Sequence, residues 1–417
     1  MNQTTTISNE NQAAVKWDCN FIMFVTAQCF SFIGKALMRF VLPLYILLET
    51  GNTALMGTIL AISALPAILI SPISGVIVDR IKKNKLLAGV NIITSVGIIL
   101  FWLINQLAGV VFATVFMLLI LLTADSLTAL TGKSSIVAVS PPGTLVRANS
   151  ILFLAISFSV IITPIIAGFT LGRLGINSVL ITSLVFLLVA TGINLITHIP
   201  CSTEKSSSKL METALTDIKA GIQFTFFDEP KIGRVIILVN MMFCITLFPL
   251  ISITLPILIT GYFDATEELL GIIAAVVGLG GIAGTLLINR LGEKVSIKMM
   301  RPVLFSSSLA LAPLTIALLI GGPQIILLGI VVITFFLIFA FNSFLVIIGR
   351  AYFGRKTPED MIGKVMGLNS TFVLTGVALG GYLYGFLFDR LATNPGIAFL
   401  ILTIASALVA VNAKIYK

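Results

Sequence analysis

The chain is poor in charge, in histidine and in any recognisable arrangement of ligating or nucleophilic side chains. Only 10% of its 417 residues are charged, and there is one histidine, His198. An enzyme embedded in a membrane needs a nucleophile–base pair or a metal cluster. A lone His198, with no His-x-x-Glu run and no paired carboxylates, provides neither. The phosphate loop Gly-x-x-x-x-Gly-Lys-Ser/Thr is missing, which argues against a nucleotide-driven pump. The four cysteines, Cys19, Cys29, Cys201 and Cys244, fall at no metal or redox spacing and read as small hydrophobes. Neither a cofactor nor a metal is expected. The net charge of +9 has no basic stripe that would carry nucleic acid.

Apolar residues are what the chain has in excess: 58% of the sequence is hydrophobic and the mean hydropathy is +1.11. One soluble core of this length could not hide so much apolar surface, so lipid is the expected solvent. A span needs about twenty apolar residues. Twelve candidates run roughly over 20–48, 54–78, 86–106, 109–131, 150–171, 176–197, 232–260, 268–289, 300–320, 324–348, 365–388 and 396–413, each bounded by a polar or Gly/Pro break. The runs are continuous and do not alternate, which favours helices over barrel strands. Residues 1–19 lack the layout of a cleaved signal peptide and read as a cytoplasmic tail.

Basic residues orient these spans, because short loops rich in Lys and Arg stay in the cytoplasm. With both termini inside, the cytoplasmic segments hold Lys16; Arg80, Lys82, Lys83, Lys85; Lys133, Arg147; Lys205, Lys209, Lys219, Lys231, Arg234; Arg290, Lys294, Lys298, Arg301; Arg350, Arg355, Lys356, Lys364; Lys414 and Lys417, which is 22 of the 26. Arg173 and Arg390 fall in outer loops. The longest polar stretch, 198–231, follows the sixth span: a Ser-rich start, then Leu215, Ile218, Ile222 and Phe226 at helical spacing, the pattern of an amphipathic interfacial helix over 210–227. It separates an N-terminal bundle, 20–197, from a C-terminal bundle, 232–417. The halves echo each other: Leu42-Pro43-Leu44 recurs as Leu255-Pro256-Ile257, and Val78-Asp79-Arg80-Ile81 as Ile288-Asn289-Arg290-Leu291, at offsets of 213 and 210 residues.

The loop after span 2, Gly75-x-x-x-Asp79-Arg80-x-x-Lys83, resembles the signature loop between helices 2 and 3 of the major facilitator superfamily. Its surroundings are similar to the macrolide-efflux and siderophore-exporter branch: Pro43 near the end of helix 1, Leu145-Val-Arg-Ala-Asn-Ser150 entering helix 5, and Ile362-Gly-Lys-Val-Met-Gly367 entering helix 11. The resemblance implies an all-α integral membrane protein of twelve helices in two pseudo-symmetric six-helix bundles. It also implies that Gly75, Asp79, Arg80 and Lys83 latch the cytoplasmic ends of the bundles together. The alternative is that this cluster only enforces orientation, although orientation alone has no need of Asp79. Pro164-x-x-x-Gly168 in helix 5 partly resembles the end of the antiporter motif of drug exporters, and a simple bend explains it equally well. Gly280-x-x-x-Gly284, Gly376-x-x-x-Gly380 and Gly381-x-x-x-Gly385 read as smooth faces for packing within a bundle rather than for dimerisation, and a monomer is expected.

Three formal charges lie deep within spans: Lys35 and Arg39 in helix 1 and Asp125 in helix 4. A charge at that depth costs several kcal/mol unless paired or hydrated, so each is a functional candidate. The resembled fold lines its central cavity with helices 1, 4, 7 and 10, which would bring all three together; a structural salt bridge or snorkelling is the alternative. Proton-coupled exporters of the superfamily often carry an Arg in helix 4, and many in this branch have an acidic or small residue after the helix 1 Gly, whereas here Asp125 sits in helix 4 and Lys35 follows Gly34. The net positive wall suits an anionic or zwitterionic substrate. Asp125 is the one mid-span carboxylate and the candidate proton-coupling site. Asn240, Thr246, Asn342 and Ser343 are polar candidates to line the cavity, and Phe243, Phe248, Phe341 and Phe344 would form an aromatic wall beside them.

The expectation is therefore a secondary transporter of the plasma membrane, moving a small molecule by alternating access. The first reading is a proton-coupled exporter of the drug or metabolite efflux kind, with antibiotic resistance among its consequences. An importer or uniporter of an anionic or zwitterionic molecule comes second, and a non-transporting receptor or an integral-membrane enzyme comes after that.

Overall fold

The computed structural model describes residues 17–71, 77–78, 81–141, 143–200, 210–247, 249–291, 296–392 and 394–412. Gly75, Asp79 and Arg80 of the loop motif, Cys201, Phe248 and the Ser-rich start of the linker lie outside these residues. Within them ten helices are long and apolar enough to cross a membrane. The first four are α1 (Cys19–Thr50), α2 (Thr53–Ile70), α3 (Lys83–Ala108) and α4 (Val110–Val139). Next comes a run from Leu145 to Ile196, 52 residues that would extend about 78 Å if straight, against a hydrocarbon core of about 30 Å. It leaves helical geometry at Gly175, where φ is 74° and a side chain would be strained, and its two arms are α5 (145–174) and α6 (176–196).

The second half repeats the pattern. A crossing over 230–262, α7, is followed by α8 (Glu267–Leu291), α9 (Met300–Ile320), α10 (Gln324–Lys356), α11 (Glu359–Arg390) and α12 (Pro395–Asn412). These are the twelve expected crossings. The linker helix, Leu210–Gln223, continues as a π turn over Phe224–Asp228 and lies with Gly221 against Lys364 and Leu368 of α11.

Chain breaks are read locally. The α1–α2 corner uses Gly51 in the left-handed region, φ 61°, and the Asn52 side chain then accepts from the Leu55 N–H at 2.7 Å to start α2. The irregularity of α7 follows from Pro249 and Pro256, which lack the amide needed for a regular ladder. Around these prolines the helix adopts π segments at Leu250–Thr254 and Ile257–Tyr262, and a further one at Val235–Met241 precedes them. The Tyr384 hydroxyl of α11 donates to the Thr246 carbonyl at this break.

Glycines set how closely the helices approach. Within the second bundle a methyl on Gly280 would lie 2.3 Å from the Phe336 carbonyl of α10, and one on Gly284 would lie 2.3 Å from that of Ala340. Gly376 and Gly380 of α11 bear on the Met241 and Ile245 carbonyls of α7 in the same way. Gly381-x-x-x-Gly385 departs from the sequence expectation. It packs across the bundles, with a methyl on Gly57 of α2 falling 2.4 Å from the Gly381 carbonyl. The two GxxxG pairs of α11 are offset by five residues and so face different neighbours.

Gly284→Val should lower stability by about 1–3 kcal/mol, because the obstacle is a backbone carbonyl and one helix must move. Gly89→Ala, with nothing within 4 Å of the added methyl, should be neutral or stabilising by up to about 1 kcal/mol. Thermal unfolding in detergent compares the two.

Candidate functional site

Helices α1 and α4 run antiparallel, and their contacts fall in register. Gln28 lies over Gly132, with its Oε1 3.5 Å from where a β-carbon would be. One level deeper the Lys35 ammonium donates to the Thr128 hydroxyl at 2.7 Å. Deeper still the Arg39 guanidinium donates to Asp125 Oδ2 at 2.5 Å, and Lys35 Nζ stands 3.8 Å from Oδ1 of the same carboxylate. The structure therefore brings all three mid-span charges together.

Their surroundings are unequal. The Lys35 side chain is 3% exposed, Asp125 24% and Arg39 40%. Arg39 also lies over the Phe32 ring, 5.5 Å from its centroid. Asp125 is thus shared between a buried cation and a reachable one. Its two oxygens take separate partners, and Arg39 is the more exposed of the two. A shared carboxylate of this kind can exchange partners without leaving Lys35 uncompensated.

The other expected residues fall elsewhere. The Asn240 side-chain amide in α7 donates to the side-chain Oδ1 of Asn369 in α11 at 2.5 Å. The Thr246 hydroxyl donates to the Met242 carbonyl at 2.9 Å, and the Ser343 hydroxyl to the Gly281 carbonyl at 2.9 Å. The Thr246 hydroxyl thus bonds within its own helix and the Ser343 hydroxyl across to α8, while Asn342 is half-buried. Phe243 and Phe344, expected in an aromatic wall, are 5% and 8% exposed and belong to the apolar core. Lys83, the described end of the loop motif, ties α3 to α4 by donating to the Ser134 carbonyl at 3.0 Å.

Pro164 and Gly168 of α5 meet the other bundle. A methyl on Gly168 would sit 2.4 Å from the Glu267 carbonyl of α8, and one on Gly271 would sit 2.3 Å from that of Pro164. The α2–α11 contact is its counterpart, where Thr53 Oγ1 donates to the Gly385 carbonyl at 3.1 Å. Both contacts lie at the face of the molecule that carries Gly51, Arg173, Asp264 and Asp389, here the acidic face; the face opposite is rich in Lys and Arg. Arg173 and Glu268 also join α5 to α8 there at 3.4 Å. Thr128, Thr53 and the Arg173–Glu268 pair were missed from sequence. Thr128 alone had a signal, standing three residues after Asp125 on the same helical face.

Two helical bundles that meet through glycine contacts near one face, with paired charges deep inside, are the frame of a membrane transporter. Residues 24–352 and 235–416 match the profile of the Major Facilitator Superfamily, and the chain belongs to that superfamily. Among characterised relatives, it is 23% identical to "Enterobactin exporter EntS" of Shigella boydii serotype 4 (strain Sb227), covering 98% of this chain and 95% of the relative. It is 22% identical, over the same shares, to the protein of that name from Escherichia coli O1:K1 / APEC. Among solved structures, a D-xylose-proton symporter superposes with a TM-score of 0.73 at 13% identity, covering 94% of this chain and 96% of the other. The nucleoside transporter NupG gives 0.72 at 15% identity, covering 95% and 98%. The protein is a multi-pass membrane transporter of this superfamily and not an enzyme.

Asp125→Leu should cost about 3 kcal/mol or more, because it leaves the Lys35 ammonium buried without its counter-ion. Combining it with Lys35→Met should recover most of that loss. Thermal unfolding of the two single variants and the double variant measures the coupling.

Proposed function

We propose that the protein is a proton-coupled exporter of a small molecule that presents both an anionic group and a cationic or hydrogen-bond-donating group. The observation that carries this reading is the partition of Asp125 between buried Lys35 and half-reachable Arg39. The exporter direction draws on the relatives, whose printed names are exporters. The basic face is assigned to the cytoplasm, since short basic loops stay inside. The contacts Gly57–Gly381 and Gly168–Gly271 then lie near the outer face, which supports an inward-facing reading.

The sign of the coupling follows from electrostatics. A ligand with both groups can replace the Arg39–Asp125 pair, its anion on Arg39 and its donor on the carboxylate. That exchange needs Asp125 ionised, so a proton on Asp125 expels the ligand, as antiport requires. A purely anionic ligand behaves oppositely. It competes with Asp125 for Arg39, so protonation of Asp125 helps it bind, which is symport and the basis of the importer reading. Ligand affinity measured against pH separates the two: acidification weakens binding in an antiporter of this design and strengthens it in a symporter.

Alternating access requires the outer contact to open. Linking Arg173→Cys to Glu268→Cys with a short bifunctional thiol reagent should arrest transport while leaving ligand binding from the cytoplasmic side, read by thermal shift with enterobactin as the first ligand. Asp125→Asn, neutral like the protonated carboxyl, should bind the ligand weakly at every pH and lose pH-gradient-driven transport in proteoliposomes. Retention of full gradient-driven transport by that variant would remove Asp125 from the coupling role.

A further inference from the structure

The inner half of the first bundle holds more polar atoms than its own hydrogen bonds use. Between α1 and α3 the Ser31 hydroxyl donates to Asn91 Oδ1 at 2.7 Å, with both residues buried. The other end of that amide, Asn91 Nδ2, has no partner in the protein. Neither does Gln28 Nε2, three residues before Ser31, nor the Ser95 hydroxyl, one turn beyond Asn91. Gln28, Asn91 and Ser95 are 7%, 1% and 4% exposed. At membrane depth such groups cost several kcal/mol each when unpaired, and polar side chains facing one another inside a bundle are the setting in which buried water is retained.

Their position gives them a use. Gln28, Ser31 and Lys35 follow one another at three- and four-residue intervals on a single face of α1. Ser31 stands about 6 Å from Lys35 along the helix axis, a gap that one or two water molecules bridge. Toward the cytoplasmic face the same helices end at the Lys83–Ser134 contact. Asn194 on α6, 0% exposed and with neither end of its amide paired, lies toward that end of the bundle.

We propose that water molecules held by Gln28, Ser31, Asn91 and Ser95 form a file through the α1–α3–α4 interface, connecting Lys35 to the cytoplasm by a route separate from the one through which substrate reaches Arg39. This rests on the reading of Asp125 as the proton-coupling group. Protonated Asp125 passes its proton to Lys35 as the Lys35 ammonium gives one to the file. One proton reaches bulk water, Lys35 ends with its charge unchanged, and Asp125 is restored as a carboxylate able to pair with Arg39. The charged groups that face Asp125 among the described residues are Lys35 and Arg39. The next on α4 is Lys133, within electrostatic reach of Arg350 on α10.

The test follows the Asp125 carboxyl by infrared difference spectroscopy after a pH jump on full-length protein in lipid, its band identified by loss in Asp125→Asn. Asn91→Leu and, as the milder change, Ser31→Ala with Ser95→Ala should slow protonation about tenfold or more while leaving the titration midpoint in place. A purely structural role for these residues would instead move the midpoint or the unfolding temperature without slowing the exchange. An unchanged rate in folded variants overturns the file and leaves the coupling role of Asp125 intact. Absence of any titrating band that Asp125→Asn removes overturns both.

Discussion

Lys35 places a full positive charge where the side chain is 3% exposed, inside a bundle whose core is built from leucine, isoleucine, phenylalanine and alanine. Removing an ammonium from water costs several kcal/mol, and geometry has to return that cost. Three elements do so here: the Thr128 hydroxyl, the Asp125 carboxylate, and the register of α1 against α4 that keeps both within reach. If the helices slid by one turn, Lys35 would lose its partners. The buried charge therefore works as a register pin for the first bundle as well as a chemical group.

The same charge constrains what Asp125 can do. Because Lys35 has no other carboxylate among the described residues, Asp125 is held near α1 whether or not Arg39 is engaged. Arg39 is the partner that can leave, being more exposed and stacked on Phe32 at the edge of the pair. A carboxylate with one fixed and one exchangeable partner can release the second without stranding the first. The bundles meet through close glycine–backbone contacts, α2 on α11 and α5 on α8.

Much of this could be read from the residues. The apolar runs, the central linker and the helical amphipathicity of 210–227 are local properties, and helices follow them closely, with α4 extending to Val139 where the run was expected to stop near 131. The pairing of Lys35, Arg39 and Asp125 was also legible, since three charges within spans have few ways to be satisfied. Thr246 and Ser343 show the limit. A hydroxyl in a membrane helix can face a cavity or donate to a carbonyl of its own or a neighbouring helix, and the one-letter code does not say which.

Sequence alone determined that this chain crosses a membrane many times, in two related halves, with its basic residues gathered on one side and its ionised groups concentrated on two helices. Those are sums over neighbouring residues, and hydropathy, helix breakers and charge are additive along the chain. Tertiary structure decided which side of each helix meets which neighbour. It turned Gly381 and Gly385 toward α2 while their neighbours Gly376 and Gly380 face α7, and it buried Lys35 while leaving Arg39 within reach. It also set Asn91 against Ser31 across sixty positions of sequence. Such choices depend on the rotation of one helix against another, and that rotation is fixed only when every helix of the bundle is packed at once.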